Sequence, residues 1–290
     1  MIAVDWGTST FRAYRLGSDG SVLDTRSAPK GILCVENGKF SAVLEEQVAD
    51  WIAAGNGPVV MSGMIGSRQG WVEVPYAACP AGFEEIAAGM HEVAWDGGTA
   101  WIAPGLACRD AAGIPDVMRG EEVQILGVLD RLGPGVHTVC LPGTHSKWVE
   151  LTDGRIARFT THMTGEAFAV FKAHSILGRM MKDGINDAAA FEDGVRRSAD
   201  DGGLLHHLFG VRARGLFGEV TETASASYLS GMLIGHEIRS ACRSRGRVHL
   251  LCSAQLADVY SPAFAVLGIE VKALDPDSVT KGLFRLAAYL

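Results

Sequence analysis

One short pattern occurs twice in this chain, and the repetition constrains its fold more than any other feature. Near the start, Ile2-Ala3-Val4-Asp5-Trp6-Gly7-Thr8-Ser9-Thr10-Phe11-Arg12-Ala13-Tyr14 is an apolar strand, a hydroxyl-rich Gly-Thr turn and a second strand. Midway, Val139-Cys140-Leu141-Pro142-Gly143-Thr144-His145-Ser146-Lys147-Trp148-Val149-Glu150-Leu151 has the same layout. Asp19-Gly20 then leads into a third strand in the first copy, and Asp153-Gly154 does so in the second. Each copy reads as strand, Gly-Thr turn, strand, Asp-Gly turn, strand, which is an antiparallel meander. Two copies predict two similar half-domains across a shared cleft.

The turns carry chemistry of their own. Glycine lets a backbone come close to a ligand. The N–H groups and hydroxyls of Gly7, Thr8 and Ser9 make an anion pocket suited to phosphate, and Gly143, Thr144, His145 and Ser146 repeat it. Asp5, at the end of its strand, suits a hydrated Mg²⁺, which keeps most of its waters and needs only one or two carboxylates.

Several classes of function are excluded early. The chain has 290 residues and a net charge of -7. No basic run or aromatic-studded basic patch is present, so nucleic acid is not an expected partner. Six cysteines are scattered without a Cys-x-x-Cys pair, as expected of reduced thiols in a cytoplasmic protein. No signal peptide is visible ahead of the first strand. No apolar run reaches the roughly 18 residues of a membrane helix, so no membrane association is expected.

Between the meanders, residues 40–54 have helical spacing and 58–61 read as a strand. The loop Ser62 to Tyr76 interleaves glycines with Arg68, Gln69, Trp71 and Glu73. Such a loop directly after a strand is a natural ligand site, and Arg68 has the planar fork that grips a carboxylate. A helix is predicted over 83–90, a strand over 100–103, a loop over 104–115 and a helix from Asp116, with Glu121 and Glu122 at its N-terminus. Gly133-Pro134-Gly135 is the natural linker, dividing the chain into 1–133 and 134–290.

Beyond the second meander, a helix runs from 163–168 to about 178. Short helices with polar breaks over 183–215 read as an insertion, with His206-His207 at the surface or in packing. On the helix 225–242, Ser227, Gly231 and Gly235 line one face with almost no side chain, permitting close approach of another helix. Strand 248–252, helix 254–267, strand 269–273 and helix 276–289 follow.

Paired meanders of this kind resemble the actin–hexokinase–heat-shock ATPase superfamily, whose α/β chains fold as two ribonuclease-H-like domains around an ATP cleft. Within it, the chain resembles the 2-dehydro-3-deoxygalactonokinase family. The resemblance rests on Val4-Asp5-Trp6-Gly7-Thr8-Ser9, Met61-Ser62-Gly63-Met64-Ile65-Gly66-Ser67-Arg68-Gln69-Gly70-Trp71, Asp116-Val117-Met118-Arg119-Gly120-Glu121-Glu122, Leu141-Pro142-Gly143-Thr144-His145-Ser146-Lys147-Trp148 and Tyr228-Leu229-Ser230-Gly231.

It implies transfer of phosphate from ATP, with Mg²⁺, to the 6-hydroxyl of 2-dehydro-3-deoxy-D-galactonate. By that resemblance the N-terminal domain carries sugar-acid loops with Arg68, Gln69, Trp71 and Glu73, and the C-terminal domain carries the nucleotide elements. The two turns hold the ATP phosphates, and Asp5 acts with the metal. In glycerol kinase and its relatives, a Gly-Asp motif opening a helix supplies the base that takes the hydroxyl proton. Gly120-Glu121 has a similar place, so Glu121 is the implied base and Glu122 the competing choice. Related kinases often have a Gly-Gly turn at the adenosine; here Cys252, Ser253 and Ala254 stand in that stretch. The alternatives are a kinase of the same fold for a neutral hexose or amino sugar, and a non-catalytic sugar or nucleotide sensor.

Overall fold

The computed structural model describes residues 1–182, 186–242, 246–275 and 278–290. β1 (Ile2–Trp6), β2 (Phe11–Leu16) and β3 (Val22–Ala28) form the first meander. α1 (Phe40–Ala53) buries Phe40, Leu44, Val48 and Trp51, one apolar stripe at helical spacing. It returns the chain to β4 (Val59–Ser62), parallel to β1. Next come β5 (Ala77–Ala78), α2 (Phe83–Ala88), β6 (His91–Trp95), β7 (Gly98–Ile102), β8 (Leu106–Arg109), β9 (Pro115–Met118), α3 (Glu121–Leu126) and α4 (Leu129–Leu132). β10 (Val136–Leu141), β11 (Ser146–Thr152) and β12 (Arg155–His162) make the second meander. They are followed by α5 (Thr164–His174), α6 (Ala188–Arg197), α7 (Gly203–Leu216), α8 (Ser225–Ala241), β13 (Val248–Leu250), α9 (Ala254–Val266), β14 (Val271–Ala273) and α10 (Ser278–Ala287).

The sequence repeat is a repeat of topology. One sheet has the order β3-β2-β1-β4-β7-β6 and another β12-β11-β10-β13-β14. In each, the first meander strand takes a parallel neighbour on its free side, β4 for β1 and β13 for β10. A further parallel strand follows, β7 in one and β14 in the other. This is the ribonuclease-H-like half occurring twice, the actin/hexokinase-like α/β fold.

The chain changes unit more often than a single linker at 133/134 would have it. One compact unit comprises Met1–Val136, Glu150–Phe159 and Asp275–Leu290; the other comprises His137–Val149 and Thr160–Leu274. In the first, Trp6 meets Phe11 and Phe40 edge-on, with ring centroids 4.8 and 5.8 Å away. Such pairs add roughly 0.5–1.5 kcal/mol each beyond the burial of their area.

Two expectations need correction. Residues 104–115 are not a plain loop, and the helix does not start at Asp116. β8 and β9 pair antiparallel from Leu106↔Met118 to Arg109↔Pro115, in a small sheet with β5. That ladder claims residues 115–118, and the helix opens only after Gly120, whose φ of +109° turns the chain. The acidic pair does occupy the first turn of α3.

Residues 188–215, within the stretch read as an insertion, pack closely on α8. α6 fills the small face of α8: a Cβ on Gly231 would lie 2.0 Å from the Phe191 carbonyl oxygen, and one on Gly194 2.1 Å from that of Tyr228. Asp187 N donates to Ser227 Oγ at 3.0 Å beside this contact. A close-packed static pair is what that face serves. His206 is exposed and His207 buried; His207 packs with Nδ1 2.9 Å from His236 Nε2 and Nε2 3.0 Å from the Asp201 carbonyl oxygen. The starts of the expected 183–215 and 276–289 segments lie outside the described residues.

Candidate functional site

In the first unit, the Asp5–Thr10 turn and the loop after Ser62 leave the same end of the adjacent parallel strands β1 and β4. Ligands in open α/β sheets bind outside these carboxyl ends. The turn is held by backbone. Gly7 N donates to Thr10 O at 2.9 Å, Ile32 N to Gly7 O at 3.0 Å and Leu33 N to Thr8 O at 3.2 Å. Trp6 Nε1 donates to Lys30 O at 2.8 Å, which draws Gly31 under the turn. A Cβ on Gly31 would lie 2.3 Å from both Ser9 N and Thr8 O, so only glycine fits there. Thr8 and Ser9 are exposed at the tip, and their amides donate to no group among the described residues.

Asp5 is half-buried, and burial pushes its carboxyl up, against the opposing pull of Arg12 3.6 Å away on β2. A carboxylate deprived of water gains from a nearby cation. Among the described residues no three His, Cys, Asp or Glu side chains converge into a metal cage. A single carboxylate such as Asp5 could hold only a cation that keeps most of its own waters.

Glycines bring the other candidate segment to Asp5. Gly63, with φ +92°, lies so close that a Cβ would be 2.8 Å from Trp6 O and 3.3 Å from Asp5 Oδ1. A Cβ on Gly120 would in turn lie 3.2 Å from Gly63 Cα. Trp6, Gly63 and Gly120 thus meet backbone to backbone, with the Asp5 carboxylate beside Gly63 and Glu121 next in the chain after Gly120. Glu121 is half-buried, and its Oε2 accepts from Arg119 N at 3.0 Å. Glu122 is fully buried; its Oε2 accepts from Gly120 N at 2.7 Å, and its Oε1 has no partner among the described residues. Burial, and then the charge of Glu121, push the Glu122 carboxyl up to about 8. Glu122 is thus sequestered and holds its proton more tightly than a free carboxyl, while Glu121 beside it is only half-buried. α3 is fixed from behind by α10: a Cβ on Gly127 would lie 1.9 Å from Ser278 O, and one on Gly282 2.1 Å from Val123 O.

In the 63–76 loop, Arg68, Gln69 and Glu73 are exposed, and Arg68 has no hydrogen bond or ion pair among the described residues. Trp71 is half-buried, with its ring stacked on Phe40 at 6.4 Å. Backbone bonds from Trp71 N to Ile65 O and from Val74 N to Gly66 O, both 2.9 Å, set the loop's shape. Arg119 clamps it. The guanidinium lies 4.3 Å over the Tyr76 ring and donates from Nη2 to Val74 O at 2.7 Å. Sequence reasoning passed over Arg119, although it directly precedes Gly120-Glu121; the loop it holds is distant in sequence.

In the second unit, β10 and β13 are parallel neighbours, so the Gly143–Ser146 turn and residues 252–254 leave one end of that sheet. This turn too sits on a glycine: a Cβ on Gly165 would lie 2.5 Å from Gly143 O and 2.8 Å from Thr144 Cα. Glu166 N donates to Thr144 O at 3.0 Å, and the Glu166 carboxylate pairs with His145 Nε2. Thr144 and His145 are exposed at the tip, while Ser146 is fully buried, beneath the turn rather than at its face. Ser253 caps α9, its Oγ accepting from Leu256 N, and Ala254 is exposed beside it. Burial pushes the half-buried Cys252 thiol up to about 11, so it is not a nucleophile at neutral pH.

This arrangement has relatives. A protein of Escherichia coli (strain K12) named 2-dehydro-3-deoxygalactonokinase is 35% identical over 291 residues, covering 99% of this chain and 97% of its own. One of Rhizobium meliloti (strain 1021), named as a probable 2-dehydro-3-deoxygalactonokinase, is 40% identical over 293 residues, covering 99% and 95%. The crystal structure of a protein from Sinorhizobium meliloti, described as a presumed 2-dehydro-3-deoxygalactonokinase, superposes with a TM-score of 0.90 at 40% identity, covering 99% of this chain and 97% of that one. The activator of 2-hydroxyisocaproyl-CoA dehydratase from Clostridium difficile, at 12% identity and a TM-score of 0.50 over 100% of this chain and 94% of its own, shares the fold alone. The 2-keto-3-deoxy-galactonokinase family profile matches residues 5–286, from the carboxylate of the first turn into α10, and the chain belongs to that family.

Proposed function

We propose that this protein transfers the γ-phosphoryl group of ATP to the 6-hydroxyl of 2-dehydro-3-deoxy-D-galactonate. The observation that carries the reading is the family match from residue 5 to residue 286, which takes in both Gly-Thr turns and the Glu121 segment. Phosphoryl transfer asks for neutralised phosphates and an oriented hydroxyl. Gly7, Thr8 and Ser9 on one turn, and Gly143, Thr144 and His145 on the other, offer donors to the phosphates, with Ser146 bracing the second from below. Asp5 would hold Mg²⁺, which would supply charge neutralisation on the phosphate oxygens.

Glu121 accepts the proton of the 6-hydroxyl as its oxygen bonds to phosphorus and the bond to ADP breaks. Arg68 pairs with the sugar-acid carboxylate, Gln69 and Glu73 hydrogen-bond its hydroxyls, and Trp71 forms the wall beside them. Cys252, Ser253 and Ala254 border the adenosine; their small side chains support that placing. Residues 1–133 thus carry the sugar-acid loops beside the first phosphate turn, and 134–290 the remaining nucleotide-binding elements. All six cysteines are free thiols, which supports action in the reducing cytoplasm.

The test is ATP-dependent phosphorylation across a panel of 2-keto-3-deoxy acids and neutral sugars. Turnover with the galactonate derivative well above the rest is expected. Preference for a neutral hexose would move the protein to another kinase class, and ATP binding without turnover on any member would make it a sensor.

A further inference from the structure

A buried polar chain runs beneath the second turn. Glu237, in the C-terminal half of α8, is 3% exposed. Its Oε1 accepts from Trp148 Nε1 on β11 at 2.9 Å, and its Oε2 accepts from the Tyr260 hydroxyl on α9 at 2.9 Å. The Tyr260 hydroxyl is also 3.0 Å from Ser146 Oγ, and Ser146 Oγ lies 3.4 Å from Gly143 N. Ser146 and Tyr260 are buried as well.

The protons in this chain have one consistent order. An indole only donates, and an ionised carboxylate only accepts. Tyr260 has a single proton, and it goes to Glu237. Ser146 must then donate to the Tyr260 oxygen, leaving its own lone pairs to accept from Gly143 N–H. Burial, reinforced by the Glu237 charge, pushes the Tyr260 phenol up, so its proton stays in place at neutral pH. One charge on α8 therefore orients three groups and ends at the first residue of the turn. The amides of Thr144 and His145 follow Gly143 at the exposed tip and donate to no group among the described residues.

We infer that Glu237 and Tyr260 are positioning residues for the second turn, directing it toward nucleotide phosphate through Ser146; this rests on the reading of that turn as a phosphate site. Neither residue touches a ligand itself. Among the described residues the first turn has no such carboxylate-led chain: backbone bonds, Gly31 and the Trp6 Nε1 bond to Lys30 O hold it.

The decisive variant is Glu237→Gln, which keeps the shape and reverses the order. Its amide oxygen must face the Trp148 N–H, so its NH₂ faces Tyr260. Tyr260 then turns its proton on Ser146, which takes up a serine lone pair and forces the serine proton off the Tyr260 oxygen, disturbing the hydroxyl that accepts from Gly143 N–H. Calorimetric binding of a non-hydrolysable ATP analogue should weaken about tenfold, the scale of one misdirected hydrogen bond. KM for the sugar acid should stay within about twofold, since that substrate lies elsewhere. Tyr260→Phe and Ser146→Ala should each weaken the analogue by a similar factor. The double variant should be no worse than either alone, because both act through one chain. If these variants bind the analogue like wild type, or if the losses add in full, the inference is wrong. If wild type itself binds no ATP analogue, the kinase reading fails instead.

Discussion

Glu122 carries a prediction that activity measurements would not show. Its carboxyl is fully buried, with one oxygen on Gly120 N–H and the other without a partner among the described residues. Its folded-state pKa of about 8 lies above the ordinary 4.5, so the folded protein holds this proton more tightly than the unfolded chain does. The stabilisation is fully present below about pH 4.5 and is lost as pH rises through about 8. Between about pH 5.5 and about pH 8.5 the proton-linkage contribution comes to about 3 kcal/mol. Glu122→Gln resembles the protonated acid: its amide oxygen still accepts from Gly120 N–H, and it does not titrate.

Urea unfolding of wild type and variant, followed by tryptophan fluorescence at the two pH values, isolates this term. The two should be within about 1 kcal/mol of each other at the lower pH. At the higher pH the variant should gain on wild type by a difference on the order of 3 kcal/mol. Glu121→Gln should shrink the slope without removing it, because it takes away only the secondary cause of the shift. Parallel pH profiles for wild type and Glu122→Gln would refute the reasoning, placing water or a counter-charge at the carboxyl.

Two further predictions concern turnover. Glu121→Gln should lower phosphoryl transfer by about 10²–10⁴-fold, the usual contribution of a general base, while ATP-analogue binding in a calorimeter stays near wild type. Full activity in that variant with loss in Glu122→Gln would exchange their roles. Arg68→Lys keeps the charge but loses the planar fork, so KM for the sugar acid should rise while KM for ATP holds; steady-state kinetics showing the reverse would put Arg68 on the nucleotide.

The doubled meander was legible because its signals are local. Strand periodicity, Gly-Thr and Asp-Gly turns and their repetition at Asp5–Thr10 and Gly143–Ser146 are written in consecutive residues. What brings the site together is not local. Nothing near Gly63 announces that Gly120 will rest on it, and Gly31 and Gly165 look like ordinary turn and helix-start glycines until each is seen under a Gly-Thr turn. The strand at 115–118 was hidden for a related reason. Asp116-Val117-Met118 is compatible with a helix, and only its partner 106–109 decides otherwise. Ser146 reads from sequence as one more turn hydroxyl, and its burial depends on Tyr260 from far along the chain.

The contact between α3 and α10 sets the order in which this protein can become competent on the ribosome. Residues 275–290 belong to the same compact unit as 1–136, yet the ribosome delivers 137–274 between them. At about 5–20 residues per second, the first unit waits on the order of ten to thirty seconds for its closing helix. Through that interval the Glu121 segment has no Ser278 or Gly282 to rest against, and its apolar back at Val123 is open to solvent or to a chaperone. A nascent chain that has completed 137–274 would therefore still lack the contact that seats the Glu121 segment.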